Sequence, residues 1–451
     1  MTQCTQNEFE FTATGGRRVV AAFDAGAISS NGGALLLREA DRRIGLIEAM
    51  AKCFRDGRDP GLIEHTLSQL LAQRIYGLAL GYEDLNDHDE LRDDWVLGLV
   101  SGKTKPGEQP LAGKSTLNRL ELSTSTTDRY KKIVYEAQAL DALYVNVFLQ
   151  AHARAPRQIV IDLDTTDVAL HGHQEGRFFH GYYDHYCYLP LYIFCGEHLL
   201  GVRLRKADQD AAAGAQVELA RIVAQIRAAW PKVVIVVRAD SGFCRDALMS
   251  WCEANAVDYV LGFARNERLL RKIAKPMRKA KARAANSGQA ERVFTQFRYR
   301  TLDSWSRGRR VVAKSEYLPG KENPRFVVTS LAPDRYAPKR LYEELYCARG
   351  EMENCIKEQL SLFAERVSSA TMLANQLRMY LSGFAYTLFI AFRRLGLAGT
   401  ELARAQVNTL RLKMLKIGAL VKTSVRRIVI AFSSSHPYQA LFAHAYAKLL
   451  L

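Results

Sequence analysis

The sequence predicts an α/β protein whose central core is interrupted by a β-strand insertion. Three observations carry this prediction. Helical periodicity dominates residues 1–155, β-branched strand patterns alternate with helices over residues 156–264, and a basic segment with new strand patterns follows at 265–337. A further helical pattern, expected to complete the core, covers residues 338–398, and a basic C-terminal segment covers 399–451. A chain of 451 residues is long enough for such a division.

The charge balance indicates a polyanionic partner. The chain has 63 lysine and arginine residues against 47 acidic ones, a formal net charge of +16. Such an excess favours nucleic acid first and an anionic membrane surface second. No stretch is apolar for the roughly 20 residues that a membrane span needs, and the N-terminus lacks a signal-peptide pattern. We therefore expect a soluble, intracellular protein.

The first region, residues 1–155, is predicted to be mainly helical after a short extended start. Stretches such as GGALLLREADRRIGLIEAM and GLIEHTLSQLLAQRIYGLAL place apolar residues at helical spacing. The shorter stretch KSTLNRLEL leaves two interpretations open. It either begins a DNA-reading helix that presents Arg119 or forms an ordinary capped helix.

Residues 156–264 carry the pattern of the core. QIVIDLDTT, LPLYIFC and HLLGVRLRK read as three successive strands, and KVVIVVRAD and DYVLGFA follow as strands after one helix each. The order β-β-β-α-β-α-β excludes a dinucleotide-binding fold, which starts β-α-β and carries a glycine fingerprint after its first strand. The order is typical of a ribonuclease-H-like sheet.

The insertion at residues 265–337 concentrates positive charge. Between residues 265 and 316 there are 16 lysines and arginines against 4 acids, and the strand patterns FTQFRYRTL and RRVVAKSEYL follow the basic run. A basic run alone is usually a solvated helix face, but this one holds most of the excess charge of the chain. We therefore predict a nucleic-acid contact that includes Lys279, Lys281 and Arg283.

Three carboxylates form the candidate catalytic group. Asp164 ends the first strand, Asp240 ends the fourth, and Glu353 lies on the helix after the insertion. The first and fourth strands of a ribonuclease-H-like sheet are neighbours, so the acids would converge and would need a cation such as Mg²⁺ or Mn²⁺. Taken singly, an Asp after a strand is most often a turn residue. Asp162 is the rival for the first position because it shares a strand face with Asp164.

The chain resembles the DDE transposases of bacterial insertion sequences, in the group with a β-strand insertion before the last acid. The matching stretches are DLDTTD at 162–167, GHQEG at 172–176, RADSGF at 238–243 and YCARGEMENCIKE at 346–358. Tyr346, Arg349 and Glu353 fit the spacing of the signature helix of that family. The family lysine often lies seven residues after the glutamate, where this chain has Leu360, and Lys357 is the candidate substitute.

The resemblance implies DNA transposition by a metal-dependent route. Asp164, Asp240 and Glu353 would hold two Mg²⁺ ions, which Mn²⁺ can replace. Water would cut the DNA at the end of the element, and the freed 3′-hydroxyl would attack target DNA. A ribonuclease-H-like nuclease or resolvase that performs no strand transfer is the alternative.

The resemblance also implies how DNA would be held. Tyr346, Arg349 and Lys357 would contact backbone phosphates near the cut, and the helical first region would bind the terminal inverted repeats. We expect a homodimer on double-stranded DNA, located in the cytoplasm on the bacterial nucleoid.

One further residue is singled out in the insertion. The transposases that the chain resembles can use an aromatic residue there to hold a base flipped from the DNA end. Trp305 lies in the corresponding region beside Arg307, Arg309 and Arg310, whose guanidinium groups would hold phosphates while the indole stacks on a base. The alternative is that Trp305 packs the inside of the small insertion.

Overall fold

The computed structural model describes residues 8–103, 110–122, 124 and 126–451. The first region begins with a hairpin whose residues are all exposed and continues mainly as helices, as the sequence predicted. Its strands are β1 (Phe9–Thr14), β2 (Arg17–Ala21), β3 (Ile28–Ser29), β4 (Phe54–Asp56) and β5 (Ile133–Tyr135). Its helices are α1 (Ala34–Ile44), α2 (Leu46–Ala51), α3 (Leu67–Leu80), α4 (Asp87–Leu91), α5 (Trp95–Val100), α6 (Lys114–Glu121) and α7 (Ala137–Gln150).

The segment SSNGG joins the first region to residues near the end of the chain. The backbone N–H groups of Gly32 and Gly33 donate to the carbonyl oxygens of Ile417 and Leu415 at 2.9 and 3.0 Å. A Cβ atom on Gly33 would lie 1.8 Å from the carbonyl oxygen of Met414, so this approach requires glycine. The first and last parts of the chain therefore pack against each other.

The central part of the chain supplies five adjacent strands of a large mixed sheet. Its elements are β6 (Gln158–Thr165), β7 (Val168–Ala169), β8 (Phe178–His180), β9 (His185–Tyr188), β10 (Leu191–Cys195), β11 (His198–Arg203), α8 (Ala215–Ala229), β12 (Val234–Ala239), α9 (Asp246–Ala254) and β13 (Asp258–Phe263). The spatial order is β11-β10-β6-β12-β13, with β6, β12 and β13 parallel and the other two pairs antiparallel. This order makes the first and fourth core strands, β6 and β12, neighbours, and it is compatible with a ribonuclease-H-like domain.

The basic segment extends the same sheet. Its elements are α10 (Glu267–Lys272), α11 (Ala274–Ser287), β14 (Glu291–Tyr299), β15 (Arg309–Leu318), β16 (Lys321–Glu322) and β17 (Arg325–Thr329). Strand β17 pairs with β13, and β15 and β14 follow outward in antiparallel order. Helix α11 packs on β14 and β15 through Met277, Ala280 and Ala284, which are its buried residues.

The remainder of the chain is helical except for one hairpin. Its elements are α12 (Pro338–Arg340), a π-helical turn (Leu341–Tyr346), a 3₁₀ turn (Cys347–Arg349), α13 (Gly350–Leu360), α14 (Met372–Gly396), α15 (Val407–Leu410), a second π-helical turn (Arg411–Leu415), β18 (Ala419–Thr423), β19 (Ile428–Phe432) and α16 (Gln439–Leu450). The helical pattern predicted for this region begins with turns of π and 3₁₀ geometry before the regular helix α13. Helix α14 is buried along most of its length and packs against α1, α3 and α16. Within the described residues, no helix is both long and apolar enough to span a bilayer.

The two faces of the sheet are covered by different elements. Ile161 and Leu163 of β6 belong to the apolar core that also contains the buried residues of α8 and α9. On the opposite face, Val236 packs with residues of the first π-helical turn. Because side chains alternate along a strand, Asp162 and Asp164 lie on the face that this π-helical turn covers.

Candidate active site

The pairing register of β6 and β12 brings two of the three candidate acids together. Asp162 is level with Arg238 and Leu163 is level with Ala239 in this parallel pair. Continuing this register by one residue brings Asp164, next to the last residue of β6, level with Asp240, which directly follows β12. The neighbouring strands predicted from the sequence therefore do bring these two carboxylates to one sheet edge.

Asp240 is held in place by the tight turn that follows it. Its carboxylate accepts a hydrogen bond from the Gly242 N–H at 2.9 Å and caps the 3₁₀ turn Ser241–Phe243. On the adjacent strand β13, a Cβ atom at Gly262 would lie 2.6 Å from the Tyr346 hydroxyl and 2.8 Å from the Ser241 nitrogen. Glycine at position 262 therefore leaves room for Tyr346 beside the Asp240 turn.

Arg349 joins the strand acids to the helix acid. Its guanidinium lies 3.0 Å from a carboxylate oxygen of Asp164 and 3.8 Å from a carboxylate oxygen of Glu353. Burial alone would lower the pKa of Arg349, but the surrounding carboxylates, Asp164 foremost, raise it above its ordinary value. Glu353 lies in the first turn of α13 and its side chain is more than half exposed. The site therefore opens to solvent on the side of Glu353.

The three acids fit the ligand chemistry of a hard divalent cation. The pKa of Asp164 is raised to about 6, chiefly by burial and also by Asp240 and Glu353, against the opposing effect of Arg349. A bound cation would reduce the electrostatic repulsion among these carboxylates. All of their donor atoms are oxygens, which suits a hard divalent cation. Among the described residues, no three potential ligands are yet close enough to hold a metal ion. In this conformation the guanidinium of Arg349 supplies the positive charge.

Asp162, the rival of Asp164, has a different partner. It is buried and accepts two hydrogen bonds from Arg238, at 2.5 and 2.8 Å. Arg238 also donates to the carbonyl oxygen of Leu345 at 2.5 Å. This buried pair therefore ties β6 and β12 to the π-helical turn, and both carboxylate oxygens of Asp162 are already engaged.

The predicted phosphate-contacting residues occupy different environments. Tyr346 is partly buried, and burial raises the pKa of its hydroxyl. Lys357 is exposed on α13, one turn beyond Glu353, whereas Leu360 is half-buried. The structure thus brings Tyr346 and Arg349 to the acids and leaves Lys357 facing solvent farther along the helix.

Trp305 lies in the core, which supports packing of the insertion over base stacking. The side chain is 3% exposed, and its ring packs against Phe263 and Tyr299 with centroids 4.8 and 5.9 Å apart. The guanidinium of Arg309 lies 5.6 Å from the centre of the same ring. An indole enclosed in this way cannot receive a nucleobase in this conformation, and the prediction of a stacking role is corrected accordingly.

The three arginines beside Trp305 are also engaged within the protein. Arg309 is buried and pairs with Asp246 and Glu253 at 2.6 and 2.9 Å, and Arg307 pairs with the same Glu253. Arg310 donates to Gln296 and to two backbone carbonyl oxygens. The predicted phosphate contacts of Arg309 and Arg310 are corrected, because their donors bind protein acceptors, whereas the side chain of Arg307 is more than half exposed and its phosphate contact stays a prediction.

The basic face predicted on the insertion is exposed. Lys279, Lys281 and Arg283 are exposed on α11, and the Nζ atom of Lys281 lies 5.7 Å from the centre of the Tyr317 ring. In the first region, Arg119 is exposed on α6 and lines a cavity of about 420 Å³ with Arg58 and Lys132. Both surfaces are therefore accessible to a polyanion.

Sequence reasoning missed two features of the site. The first is Arg238, whose signal was a charged residue inside an otherwise apolar strand pattern, VVIVVRAD. The second is the aromatic hairpin, defined here as residues 177–188, in which β8 and β9 follow the candidate acid Asp164. Its signal was the run RFFHGYYDHYCY, which is rich in aromatic residues and lacks aliphatic ones.

A large mixed sheet with carboxylates at the ends of adjacent parallel strands is compatible with the catalytic domains of metal-dependent polynucleotidyl transferases. The chain matches the family described as transposase DDE domain group 1 over residues 11–451, and it belongs to that family. It is therefore a DDE transposase, a class that acts on DNA and generally uses divalent metal ions. The resemblance found in the sequence is confirmed at this level. A search among curated proteins gave no match.

Proposed function

We propose that this transposase binds terminal inverted repeats, cuts DNA at the ends of the element and joins the freed 3′-hydroxyl to target DNA, with Asp164, Asp240 and Glu353 as its catalytic acids. The observation that carries the proposal is the level register of Asp164 and Asp240, joined to Glu353 through Arg349. Two Mg²⁺ ions held by these carboxylates would activate the attacking hydroxyl and stabilise charge on the phosphate.

The residues of the chain would prepare this chemistry. The strand ends and the Gly242 N–H fix Asp164 and Asp240, and the buried Asp162–Arg238 pair fixes the π-helical turn ahead of α13. Arg349 would release the carboxylates to the cations and would then be free to hold a DNA phosphate.

Residues near the cleavage site and residues farther from it would both contact the DNA. Tyr346 lies next to the acids, Lys357 is exposed on the helix of Glu353, and the basic face of α11 is exposed on the insertion. The helical first region would bind the terminal repeat, with Arg119 on the exposed face of α6. Joining two ends calls for two such active sites, so we propose a homodimer on DNA.

A strand-transfer assay with candidate terminal repeats and Mg²⁺ tests the proposal. Asp164→Asn, Asp240→Asn and Glu353→Gln should each lower cleavage and joining by several orders of magnitude while DNA binding is retained. Glu351→Gln is the matched control, because Glu351 is an exposed acid in the same turn of α13. Full activity in any of the three variants would contradict the assignment. Cleavage by the wild type without joined product would instead indicate a nuclease.

A further inference from the structure

The C-terminal hairpin, defined here as β18, β19 and the turn between them, is fixed to the body of the protein at its base. Val421 is buried, and its backbone N–H donates to the carbonyl oxygen of Ala27 at 2.8 Å. Ile428 and Ile430 pack against the largest apolar core, and β18 also pairs with β3. The position of the hairpin is therefore set by buried side chains and by backbone hydrogen bonds.

The tip of the C-terminal hairpin, residues 422–427, extends beyond this base. All six residues are exposed, and the two strands remain paired as far as Thr423 and Ile428. The backbone N–H of Ser424 donates to the carbonyl oxygen of Arg427 at 2.8 Å, and the Arg427 N–H donates to the Ser424 hydroxyl at 3.2 Å. The tip is thus an ordered two-stranded ribbon, which loses less conformational entropy on binding than a loose loop would.

The tip carries cations that no nearby acid neutralises. Its six residues include Lys422, Arg426 and Arg427, and residues 402–451 contain eight lysines and arginines but no aspartate or glutamate. Among the residues that the structure describes, no acid forms an ion pair with the side chains of these three cations. Arg309 differs, because acidic side chains accept from its guanidinium. The cations of the tip are therefore accessible to an external polyanion.

We propose that the tip of the C-terminal hairpin enters the major groove of double-stranded DNA, where its three cations contact phosphates and Val425 contacts the base edges. Paired strands lie about 4.8 Å apart, and with their side chains they fit a groove about 12 Å wide, whereas the minor groove is about 6 Å wide. Val425 is fully exposed at the turn, and its methyl groups suit the C5-methyl group of thymine. The inference goes beyond the proposed function and shares with it only DNA as the partner.

The chemistry of the tip favours DNA over a second copy of the chain. The net charge of +16 opposes the approach of a cationic ribbon to another copy and attracts a polyanion. Stable protein–protein interfaces have an extended apolar centre, whereas Val425 is the one apolar residue of the tip. Closely spaced cations around a small apolar contact match a groove that is lined by phosphates.

The salt dependence of DNA binding tests the role of the cations. Full-length protein is bound to a long alternating dA–dT duplex in buffer that contains EDTA, so that cleavage does not interfere. The combined variant Lys422→Gln, Arg426→Gln and Arg427→Gln should reduce the logarithmic salt slope by about 0.9 for each lost phosphate contact, up to about 2.7 for all three. An unchanged slope would overturn the inference.

A matched control separates the tip from net charge alone. It removes the same charge from three exposed positions outside the tip, in the combined variant Lys52→Gln, Arg404→Gln and Lys448→Gln. The slope of this control should change by less than about 0.9, the contribution of one contact. An equal fall in both combined variants would overturn the inference, because net charge would then explain both. The melting temperature of the tip variant should match that of the wild type, because the replaced side chains are exposed.

Replacement of thymine by uracil tests the choice of groove. Uracil lacks the C5-methyl group, so an alternating dA–dU duplex should bind the wild type about three- to four-fold more weakly, as expected for the loss of one buried methyl contact. Val425→Ala should abolish most of this difference, whereas Val217→Ala, at an exposed position on α8, should retain it. A wild type that does not distinguish the two duplexes would overturn the major-groove placement. Strand transfer is assayed separately, so a failure of the proposed function is distinguishable from a failure of this inference.

Discussion

At the scale of single residues, two aspartates only two positions apart have different roles. Asp162 is buried in a two-bond ion pair with Arg238, whereas Asp164 shares Arg349 with Glu353 at the opening of the site. Removing the charge of Asp162 leaves the buried guanidinium of Arg238 without its counter-ion. Removing the charge of Asp164 instead reduces the electrostatic repulsion between this carboxylate and those of Asp240 and Glu353.

We therefore expect Asp162→Asn to lower the free energy of unfolding by about 3–5 kcal/mol, the usual cost of breaking a buried ion pair. Asp164→Asn should leave stability unchanged or higher and abolish DNA cleavage. Urea unfolding at neutral pH measures the first effect, and a cleavage assay measures the second. The assignment of roles would be reversed if Asp162→Asn were stable and inactive while Asp164→Asn unfolded.

His88 predicts a loss of stability in acid. Its ring is fully buried within hydrogen-bond distance of Gln73 and Arg74. Burial, assisted by Arg74, lowers its pKa from 6.5 to about 3. Between these two values the unfolded chain binds the extra proton and the folded chain does not, so the contribution of His88 is lost as the pH falls. Over this range the free energy of unfolding should fall by up to about 1.4 kcal/mol for each pH unit of acidification.

The variant His88→Gln isolates this effect, because glutamine carries no titratable proton in that range. Unfolding by urea should be measured for both proteins at several pH values from 7 down to 4. The difference in free energy of unfolding between wild type and variant should shrink as the pH falls. Parallel curves for the two proteins would show that His88 is not the group responsible.

Residue environments could be predicted from the sequence only where local pattern decides them. Asp164 and Asp240 each follow an apolar strand, and a local pattern suffices to place them at strand ends. Trp305 lies between polar residues in the connection from β14 to β15, yet it packs against Phe263, which is 42 positions earlier on β13. Burial of this kind depends on the pairing of distant strands, and the local pattern carries no information about it.

At the scale of elements, the first π-helical turn shows a second limit of sequence prediction. Apolar spacing in RLYEELYCARGEMENCIKEQL indicates a helix, but it does not distinguish α from π geometry over six residues. The wider π-helical turn occurs where the carbonyl oxygen of Leu345 accepts a hydrogen bond from Arg238 and where the Tyr346 hydroxyl lies close to Gly262. Single-turn π segments are often found at functional sites, and here the turn leads directly to Arg349 and Glu353.

The basic face of α11 yields an element-scale prediction. Lys279→Gln, Lys281→Gln and Arg283→Gln combined should weaken DNA binding and reduce its dependence on salt by about 0.9 in logarithmic slope for each DNA phosphate that the variant no longer neutralises. The helix should stay folded, because Met277, Ala280 and Ala284 hold it on the sheet. Binding isotherms at several salt concentrations provide the measurement. An unchanged slope would mean that the face is merely solvated.

At the scale of the whole molecule, distant parts of the chain share one apolar core. Residues of α1, α3, α14 and α16 belong to the same buried cluster, and β3 pairs with β18. The segments that the sequence analysis treated as separate regions therefore pack together. The composition change near residue 400 marked a difference in surface charge, and it gave no signal of this shared burial.

A matched pair of leucines at the end of α16 tests this packing. Leu449 is 1% exposed and its carbonyl oxygen accepts from Arg43, whereas Leu450 is 57% exposed. Leu449→Ala should lower the free energy of unfolding by about 2–5 kcal/mol and speed hydrogen exchange in α1. Leu450→Ala should change stability by less than about 0.5 kcal/mol. Equal effects of the two substitutions would contradict the packing.

The shared core also has a consequence for synthesis of the protein. Helix α1 packs against α14 and α16 as well as against its neighbours α2, α3 and α5, so part of its apolar face stays exposed on the nascent chain until α14 and α16 have left the ribosome. A chain that lacks α16 would have an incomplete interior, although Asp164, Asp240 and Glu353, the proposed catalytic acids, all precede that helix. Such a truncated chain should fold poorly even though the residues of the candidate active site are intact.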